Sequence, residues 1–165
     1  MNAVDWLIRF LADGLVIVVA AVGAVAFIAS VRRDRYQVYA RALMAGLSAL
    51  TVAKIMSLFY QESARPFVLS GTLPKAAYLN NPGFPSDHAL LAATVTLVVW
   101  LATGNKKIAL ALALLSLAVG IGRVLALVHT PLDIAGGFAA AAIGVSLWYG
   151  KPAKKRPSGK PSRLH

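Results

Sequence analysis

Residues 14–31 read GLVIVVAAVGAVAFIASV, and this stretch contains no charged residue. A second stretch, residues 134–150, reads IAGGFAAAAIGVSLWYG and is also uncharged. Runs of this length approach the roughly 20 apolar residues that an α-helix needs to cross a bilayer. Of the 165 residues, 58% are hydrophobic and 14% are charged, whereas an average globular chain is about half apolar and about a quarter charged. The sequence therefore predicts a membrane protein, and it excludes a soluble globular domain and a disordered chain.

Including these two stretches, the chain has five apolar segments with the length of membrane-spanning helices. They are predicted at about residues 13–31, 42–60, 86–103, 107–128 and 131–149. Before them, apolar residues at helical spacing in residues 1–12 predict a short interfacial helix. The predicted fold is therefore all-α: a polytopic helical bundle of about five transmembrane helices plus that short N-terminal helix.

The remaining segments complete one membrane-embedded domain over residues 1–150. Residues 61–85 are rich in Pro, Gly and Asn and are predicted to form an ordered loop with little secondary structure. Residues 151–165 are rich in Lys, Pro and Ser and are predicted to form a basic, disordered tail. The chain contains no Cys, which excludes disulfides, thiolate catalysis and cysteine-ligated metal.

The net charge of +11 would suggest a nucleic-acid partner if the basic residues formed a continuous surface. Instead, most of them lie in three short segments between or after the apolar runs. These are Arg32, Arg33, Arg35 and Arg41; Lys106 and Lys107; and Lys151, Lys154, Lys155, Arg156, Lys160 and Arg163. Such clustering is typical of the cytoplasmic loops of membrane proteins, so we expect no nucleic-acid partner. Five crossings then put the N-terminus outside and the C-terminal tail in the cytoplasm.

This topology also brings five ionisable side chains to one, outer membrane face: Arg65, His88, Arg123, His129 and Asp133. Ionisable groups at membrane depth cost about 2.5–3.5 kcal/mol each on insertion scales. Their convergence at one face therefore predicts a functional site there.

The tetrapeptide Pro85-Ser86-Asp87-His88 precedes a long apolar helix, and Ser86 is suited to cap that helix. The N–H groups and the positive dipole end of such a helix favour an anion such as phosphate. The alternative interpretation is that Ser86 and Asp87 only cap the helix and His88 is incidental. The tetrapeptide by itself leaves both interpretations open.

The spacing Arg123-x5-His129-x3-Asp133 places a carboxylate four residues after a histidine. A nucleophilic histidine needs an acceptor that holds one ring nitrogen as N–H, so that the other nitrogen can attack, and Asp133 could be that acceptor. Alternatively, Thr130 and Asp133 form a capping box, with Pro131 at the first helical position. The two interpretations are compatible.

Two further cations flank the end of the second span. Arg65 offers a planar fork that suits phosphate oxygens. Lys54 either extends to the interface or projects into the same polar pocket, and the sequence leaves both open. Glu62 is predicted to orient Arg65 rather than to take part in chemistry.

Three sequence features together resemble the type 2 phosphatidic acid phosphatase superfamily over about residues 54–137. They are the Arg65-Pro66 segment, the Pro85–His88 tetrapeptide and the Arg123-x5-His129-x3-Asp133 spacing. Within them, the sequence is most similar to the undecaprenyl-diphosphate phosphatase branch, in which Asp usually follows the Ser. The segments that carry the resemblance are Arg65-Pro66-Phe67-Val68, Phe84-Pro85-Ser86-Asp87-His88-Ala89 and the run from His129 to Gly137. Two positions depart from the family pattern: Leu58 stands where a Lys is common, and Gly122 stands where a Ser commonly precedes the Arg.

The resemblance implies metal-independent hydrolysis through a phosphohistidine, with no cofactor. It implies that His129 is the nucleophile and that Asp133 orients it. His88 would be the general acid that protonates the leaving oxygen and then activates water. The residues predicted to hold the substrate phosphate are Arg65, Arg123, Ser86, Lys54 and Asp87.

The function expected from this resemblance is removal of the terminal phosphate of a polyprenyl (undecaprenyl) diphosphate at the outer face of the cell membrane, a step of cell-wall biogenesis. One alternative substrate is phosphatidylglycerophosphate or another anionic lipid phosphate. An alternative of another class is a transporter or proton relay, which predicts ionisable groups spread through the depth of the bundle. A metal-dependent hydrolase is disfavoured because the neighbouring cations would repel a divalent ion.

Overall fold

The computed structural model describes residues 2–32, 34–60, 65–79 and 83–149, and these residues form an all-helical bundle. The helices are α1 (Ala3–Arg9), α2 (Leu15–Ser30), α3 (Arg35–Phe59), α4 (Pro66–Leu69), α5 (Asp87–Thr103), α6 (Lys106–Leu125) and α7 (Pro131–Tyr149). A π-helical turn, Phe10–Gly14, joins α1 to α2. The predicted all-α class is confirmed, and the predicted tail, residues 151–165, lies outside the described residues.

Four helical stretches are long and apolar enough to cross a membrane, and α5 is a shorter apolar helix. The four are Ala3–Ser30, Arg35–Phe59, Lys106–Leu125 and Pro131–Tyr149. The chain is therefore an integral, multi-pass membrane protein.

The N-terminal helix differs from the prediction in one respect: α1, the π-turn and α2 form one continuous stretch rather than a separate short helix and a span. The helix begins at a capping box, in which the Asn2 side chain accepts a hydrogen bond from the Asp5 N–H (2.9 Å). Asp5 also pairs with Lys75 at 2.9 Å, so its charge is neutralised outside the apolar part of the helix. An acidic residue in the first turn is also favoured by the positive end of the helix dipole.

The end of α6 also differs from the prediction, because the helix stops at Leu125 and not near Val128. Leu127 adopts a positive φ of 60°, which is incompatible with a continuing right-handed helix. The chain therefore leaves α6 before Val128 and His129 and turns toward α7.

Small residues of α7 determine how closely the helices pack. Ala140 and Ala141 lie in a buried cluster with Ala49 and Ala53 of α3 and Leu90 of α5. Since lipid provides little hydrophobic driving force between helices, close backbone approach through small residues is a main source of association energy. Helix α7 thus packs against both α3 and α5.

The connection between α3 and α5 contains one short helix, α4, where little secondary structure was predicted. Backbone hydrogen bonds tie this connection to the end of α6: the Phe67 N–H donates to the Leu127 carbonyl (3.0 Å), and the Lys75 N–H donates to the Ala126 carbonyl (3.2 Å). Residues 61–64 and 80–82 of the connection lie outside the described part. The described residues of the connection form an ordered cover over one end of the bundle.

The packing of α3 on α7 predicts a sharp effect at Gly144. A Cβ atom at this position would lie 2.3 Å from the backbone of Ala49, so Gly144→Ala should force the two helices apart. We expect a destabilisation of about 1–3 kcal/mol, measured as a lower thermal midpoint in detergent.

The matched control is Gly46→Ala on α3, where a Cβ atom meets nothing within 4 Å. Equal thermal midpoints for the two variants would contradict the close α3–α7 contact.

Candidate active site

A pocket of about 310 Å³ lies at the end of the bundle where α5 and α7 begin and α6 ends. Its lining residues are Arg65, Ala77, Tyr78, Leu79, Gly83, Pro85, Asp87, His88, Arg123 and His129. Four of the predicted site residues, both histidines and both arginines, thus share one pocket.

The His129–Asp133 pair forms one side of this site. The Nδ1 atom of His129 lies 3.4 Å from Oδ2 of Asp133, and both side chains are buried. The same carboxylate oxygen accepts a hydrogen bond from the Thr130 N–H (2.7 Å), and the Thr130 hydroxyl accepts one from the Asp133 N–H (3.2 Å). Asp133 therefore belongs to a capping box and contacts the histidine at the same time, as the spacing allowed.

Because Nδ1 of His129 faces the carboxylate, Nε2 is the ring nitrogen left for the pocket. Burial lowers the pKa of His129, the hydrogen bond with Asp133 raises it in part, and the positive charges of Arg123 and Arg65 lower it again. The net pKa is below the ordinary histidine range. The imidazole is therefore neutral near pH 7, which is the form that can act as a nucleophile.

The guanidinium of Arg65 is fixed by backbone carbonyls on two segments. Its Nη1 donates to the Val128 carbonyl (2.7 Å) and its Nη2 donates to the Leu79 carbonyl (3.0 Å). The guanidinium carbon also lies 5.5 Å from the centre of the Tyr78 ring, within the range of a cation–π interaction. Arg65 is thus held beside the residue that precedes His129.

Arg123 is a buried cation near the end of α6, with 2% of its surface exposed. Its Nη1 donates to Oδ1 of Asp13 at 2.6 Å. Its Nε is buried and has no hydrogen-bond partner among the described residues. A buried N–H donor without a partner is costly, so an acceptor that reached this atom would be stabilised there.

His88 and Asp87 belong to the first turn of α5 and also line the pocket. The Nε2 atom of His88 lies 4.0 Å from Oδ1 of Asp13. The Asp87 side chain is exposed. The pocket therefore brings a second imidazole to the same space as His129.

Two of the predicted phosphate-binding residues, Ser86 and Lys54, are not among the described residues that line the pocket. Ser86 is fully buried, and its hydroxyl accepts from the Ala89 N–H (3.5 Å) as the cap of α5. Lys54 is exposed on α3 and is not among the described residues that line the pocket. Glu62 lies outside the described residues.

The structure adds Asp13, Tyr78 and Gly83 to the site, none of which the motifs predicted. A Cβ atom at Gly83 would lie 3.4 Å from Oδ2 of Asp133 and 3.7 Å from Nδ1 of His129, so a side chain there would press on this pair. Asp13 lies far from Arg123 in the sequence, and no local spacing links them. The only sequence signal for Asp13 was its acidic charge beside an apolar run.

Two glycines of α7 allow the segment before α5 to reach this site. A Cβ atom at Gly136 would overlap the Phe84 ring, at 2.3 Å from its Cε2 atom, and one at Gly137 would lie 2.7 Å from the Ser86 carbonyl oxygen. The Ser86 N–H also donates to the Asp133 carbonyl at 3.0 Å. The glycines thus place the start of α5 against the start of α7, and His88 comes near His129.

The arrangement combines a neutral, carboxylate-oriented imidazole, a second imidazole and two guanidinium groups in one small pocket. Arginine forks bind phosphate oxygens, and a neutral histidine can attack phosphorus. Among the described residues, no group of three or more His, Asp or Glu side chains forms a candidate metal site. These side chains are suited to bind a phosphate group and to transfer it through a histidine.

Residues 38–157, about three quarters of the chain, match the family model of the PAP2 superfamily. No curated protein and no solved structure matches the chain at a significant level. The matched region includes most of α3, all of α5, α6 and α7, and the pocket residues Arg65, His88, Arg123 and His129. The phosphatases of this superfamily are metal-independent phosphohydrolases. The chain therefore belongs to the PAP2 superfamily and is a membrane phosphatase of lipid phosphates.

Proposed function

We propose that this phosphatase removes the terminal phosphate of a polyprenyl diphosphate, as an undecaprenyl-diphosphate phosphatase does, through a phosphohistidine at His129. The observation that carries the proposal is the convergence of His129, His88, Arg65 and Arg123 on one pocket. No other described part of the chain combines two imidazoles with two guanidinium groups.

The phosphate would be held by the two guanidinium groups. Arg123 contributes its unpartnered Nε–H. Arg65 donates a hydrogen bond to the carbonyl of Val128, the residue before the nucleophile His129. The first turn of α5 also lines the pocket, and the positive end of that 17-residue helix favours an anion. These groups would neutralise charge on the equatorial oxygens of the transition state.

In the first step, Nε2 of His129 attacks the terminal phosphorus and forms a P–N bond, while the bond from phosphorus to the bridging oxygen breaks. His88 gives a proton to that oxygen, and the lipid monophosphate leaves. Asp133 holds the Nδ1–H and stabilises the positive charge on the ring. The distance of 3.4 Å is long for a hydrogen bond, and such contacts often shorten in the substrate complex.

In the second step, a water molecule attacks phosphorus and the P–N bond breaks. His88, which is now neutral, takes a proton from this water. Inorganic phosphate forms, and both histidines return to their starting states. The two steps need one acid–base group and one nucleophile, and the pocket contains one imidazole for each.

An apolar surface beside this pocket can accommodate a lipid chain. Asp87 lines the active-site pocket and also lines an apolar pocket of about 300 Å³ between α3 and α5. That second pocket is formed by aliphatic and small residues, among them Leu43, Leu47 and Leu90. A substrate with its headgroup beside His129 could therefore lay its hydrocarbon chain along α3 and α5 toward the bilayer.

The preference for a diphosphate over a glycerolipid is supported by the Phe84–Ala89 segment, in which Asp87 follows Ser86. Asp87 lines the pocket and is exposed, so it can accept a hydrogen bond from a partly protonated phosphate. Phosphatidylglycerophosphate and other anionic lipid phosphates are the competing substrates.

We also propose that the site faces the outside of the cell. The basic residues Arg35 and Lys106 begin α3 and α6, at the end of the bundle opposite to the pocket. Basic residues favour the cytoplasmic side, so this end would be cytoplasmic and the pocket would be external. The ionisable pocket residues collect at one end of the bundle, which favours a phosphatase over a transporter.

The mechanism predicts different effects for the two histidines. His129→Ala should abolish turnover while the protein stays folded, because it removes the imidazole that Asp133 orients for attack on phosphorus. His88→Ala should slow turnover about 10²–10⁴-fold, with a smaller loss for substrates that have good leaving groups. Phosphate release in detergent measures both effects, and the activity should survive a strong chelator.

The matched control is Thr72→Ala in the α3–α5 connection, which is outside the pocket and should retain activity. Full activity of His129→Ala would contradict the nucleophile assignment. Loss of activity with chelator that added metal restores would contradict the metal-independent scheme.

The substrate is tested by phosphate release from farnesyl and longer prenyl diphosphates, phosphatidylglycerophosphate and phosphatidic acid at equal surface density. We expect a prenyl diphosphate to be turned over most efficiently, because the Phe84–Ala89 segment resembles the diphosphatase branch and the α3–α5 pocket can accommodate a single long chain. If either glycerolipid is turned over ten times more efficiently than every prenyl diphosphate, the diphosphatase assignment is wrong.

A further inference from the structure

The carboxylate of Asp13 contacts three separate elements that surround the pocket. Its Oδ1 accepts a hydrogen bond from Nη1 of Arg123 on α6 (2.6 Å) and lies 4.0 Å from Nε2 of His88 on α5. Its Oδ2 accepts a hydrogen bond from the N–H of Ala77, which lines the pocket (2.9 Å). Asp13 precedes the region that matches the PAP2 superfamily, which begins at residue 38.

The backbone of the N-terminal helix is irregular at this residue. Asp13 lies within the π-helical turn Phe10–Gly14, whereas the helix on either side is α-helical. Single π-turns inside α-helices occur often at functional sites, since the wider turn redirects the side chains.

A glycine on α6 allows this turn to approach Arg123. A Cβ atom at Gly122 would lie 2.6 Å from the carbonyl carbon of Leu11 and 2.7 Å from the nitrogen of Ala12. Gly122 is also the position where the family commonly has a serine. The missing side chain therefore has a physical consequence: the backbone before Asp13 packs directly against α6, next to the arginine.

We propose that Asp13 is a positioning residue of the active site, which holds the Arg123 guanidinium so that its Nε–H faces the phosphate. The inference rests on the proposed function, in which Arg123 binds that phosphate. Asp13 is not among the described residues that line the pocket, so it acts through Arg123 and not by touching the substrate. Its bond to the Ala77 N–H anchors the carboxylate in this position.

The effect should fall on turnover more than on substrate binding. Arg123 has 2% of its surface exposed, and without Asp13 its guanidinium would turn toward other acceptors such as the Asp87 carboxylate, which lines the same pocket. Transition-state stabilisation depends on donors that are already aligned, whereas a loose cation can still attract a charged headgroup. A misplacement of about 1 Å can reduce the rate about 10²-fold.

The alternative is a purely structural ion pair that only neutralises a buried charge. In that case substitutions at Asp13 would lower the stability, but the folded fraction would turn over substrate at the normal rate. The kcat of folded protein therefore distinguishes the two explanations, and the KM identifies an effect on ground-state binding.

The experiment uses the full-length protein in detergent micelles, with farnesyl diphosphate and dioctanoyl phosphatidic acid as probes. We expect kcat to fall about 10-fold in Asp13→Asn and about 10²-fold in Asp13→Ala, with KM changed less than about threefold. Gly122→Ala should also lower kcat, because it moves the π-turn away from α6 without removing a polar group. Thermal midpoints and gel filtration report the folded fraction of each variant.

The matched control is Asp5→Asn, which removes an ion pair between the same N-terminal helix and Lys75 of the same connection. Its kcat should stay within about twofold of the unmodified protein. Asp13→Asn keeps an acceptor for Arg123, so the measurement does not depend on the folding of Asp13→Ala.

A double variant tests whether Asp13 acts through Arg123. In an Arg123→Ala background, Asp13→Ala should cause no further loss of kcat, because residues that act as a unit are not additive. Multiplicative losses would overturn the proposal, and so would a normal kcat in folded Asp13 variants or an effect on KM alone.

Failure of the proposed function has a different signature. In that case the unmodified protein turns over neither probe, or Arg123→Ala is as active as the unmodified protein, and the inference about Asp13 falls with it. Normal turnover that depends on Arg123 but not on Asp13 overturns only the present inference.

Discussion

Arg123 carries a full charge on an apolar membrane helix, with 2% of its surface exposed. Burial of an ion without a partner costs several kcal/mol, so the fold must supply an acceptor from elsewhere in the chain. It does so with Asp13, at 2.6 Å, and this requirement ties the N-terminal helix to α6. The same contact brings the π-turn, the Ala77 wall and His88 together at one end of the bundle. The location of the pocket follows from this neutralisation.

The sequence predicted most of the fold because the apolar runs are long and their ends are clearly marked. It also predicted the pocket residues that share a local spacing, such as His129 with Asp133, or that begin or end a span, such as Arg65 and His88. It did not decide between the two local options that some side chains have. Ser86 uses its hydroxyl as a helix cap rather than at the pocket wall, and Lys54 is exposed on α3. Periodicity gives the spacing of such a residue but not the rotation of its helix in the bundle.

Asp13 illustrates the other limit of the sequence. It meets Arg123 only because α2 and α6 pack together and because Gly122 lacks a side chain. The prediction placed Asp13 at the start of a span, and the acid gave no sign of a distant partner. The glycines at 136 and 137 were likewise visible as part of a motif, but their reason, close approach of Phe84 and Ser86, required the tertiary structure. Contacts between residues far apart in the chain are therefore what the structure adds.

The central claim is a covalent intermediate on Nε2 of His129. It is tested most directly by rapid quenching of turnover with farnesyl diphosphate labelled in its terminal phosphate, followed by digestion and mass spectrometry of the alkali-stable phosphopeptide. His88→Ala is the best variant for trapping, because slow water attack lets the intermediate accumulate. The account predicts that the label is on the peptide that contains His129, as a phosphohistidine that forms and decays at the rate of turnover. Turnover without any labelled histidine, or with the label on another residue, would contradict it.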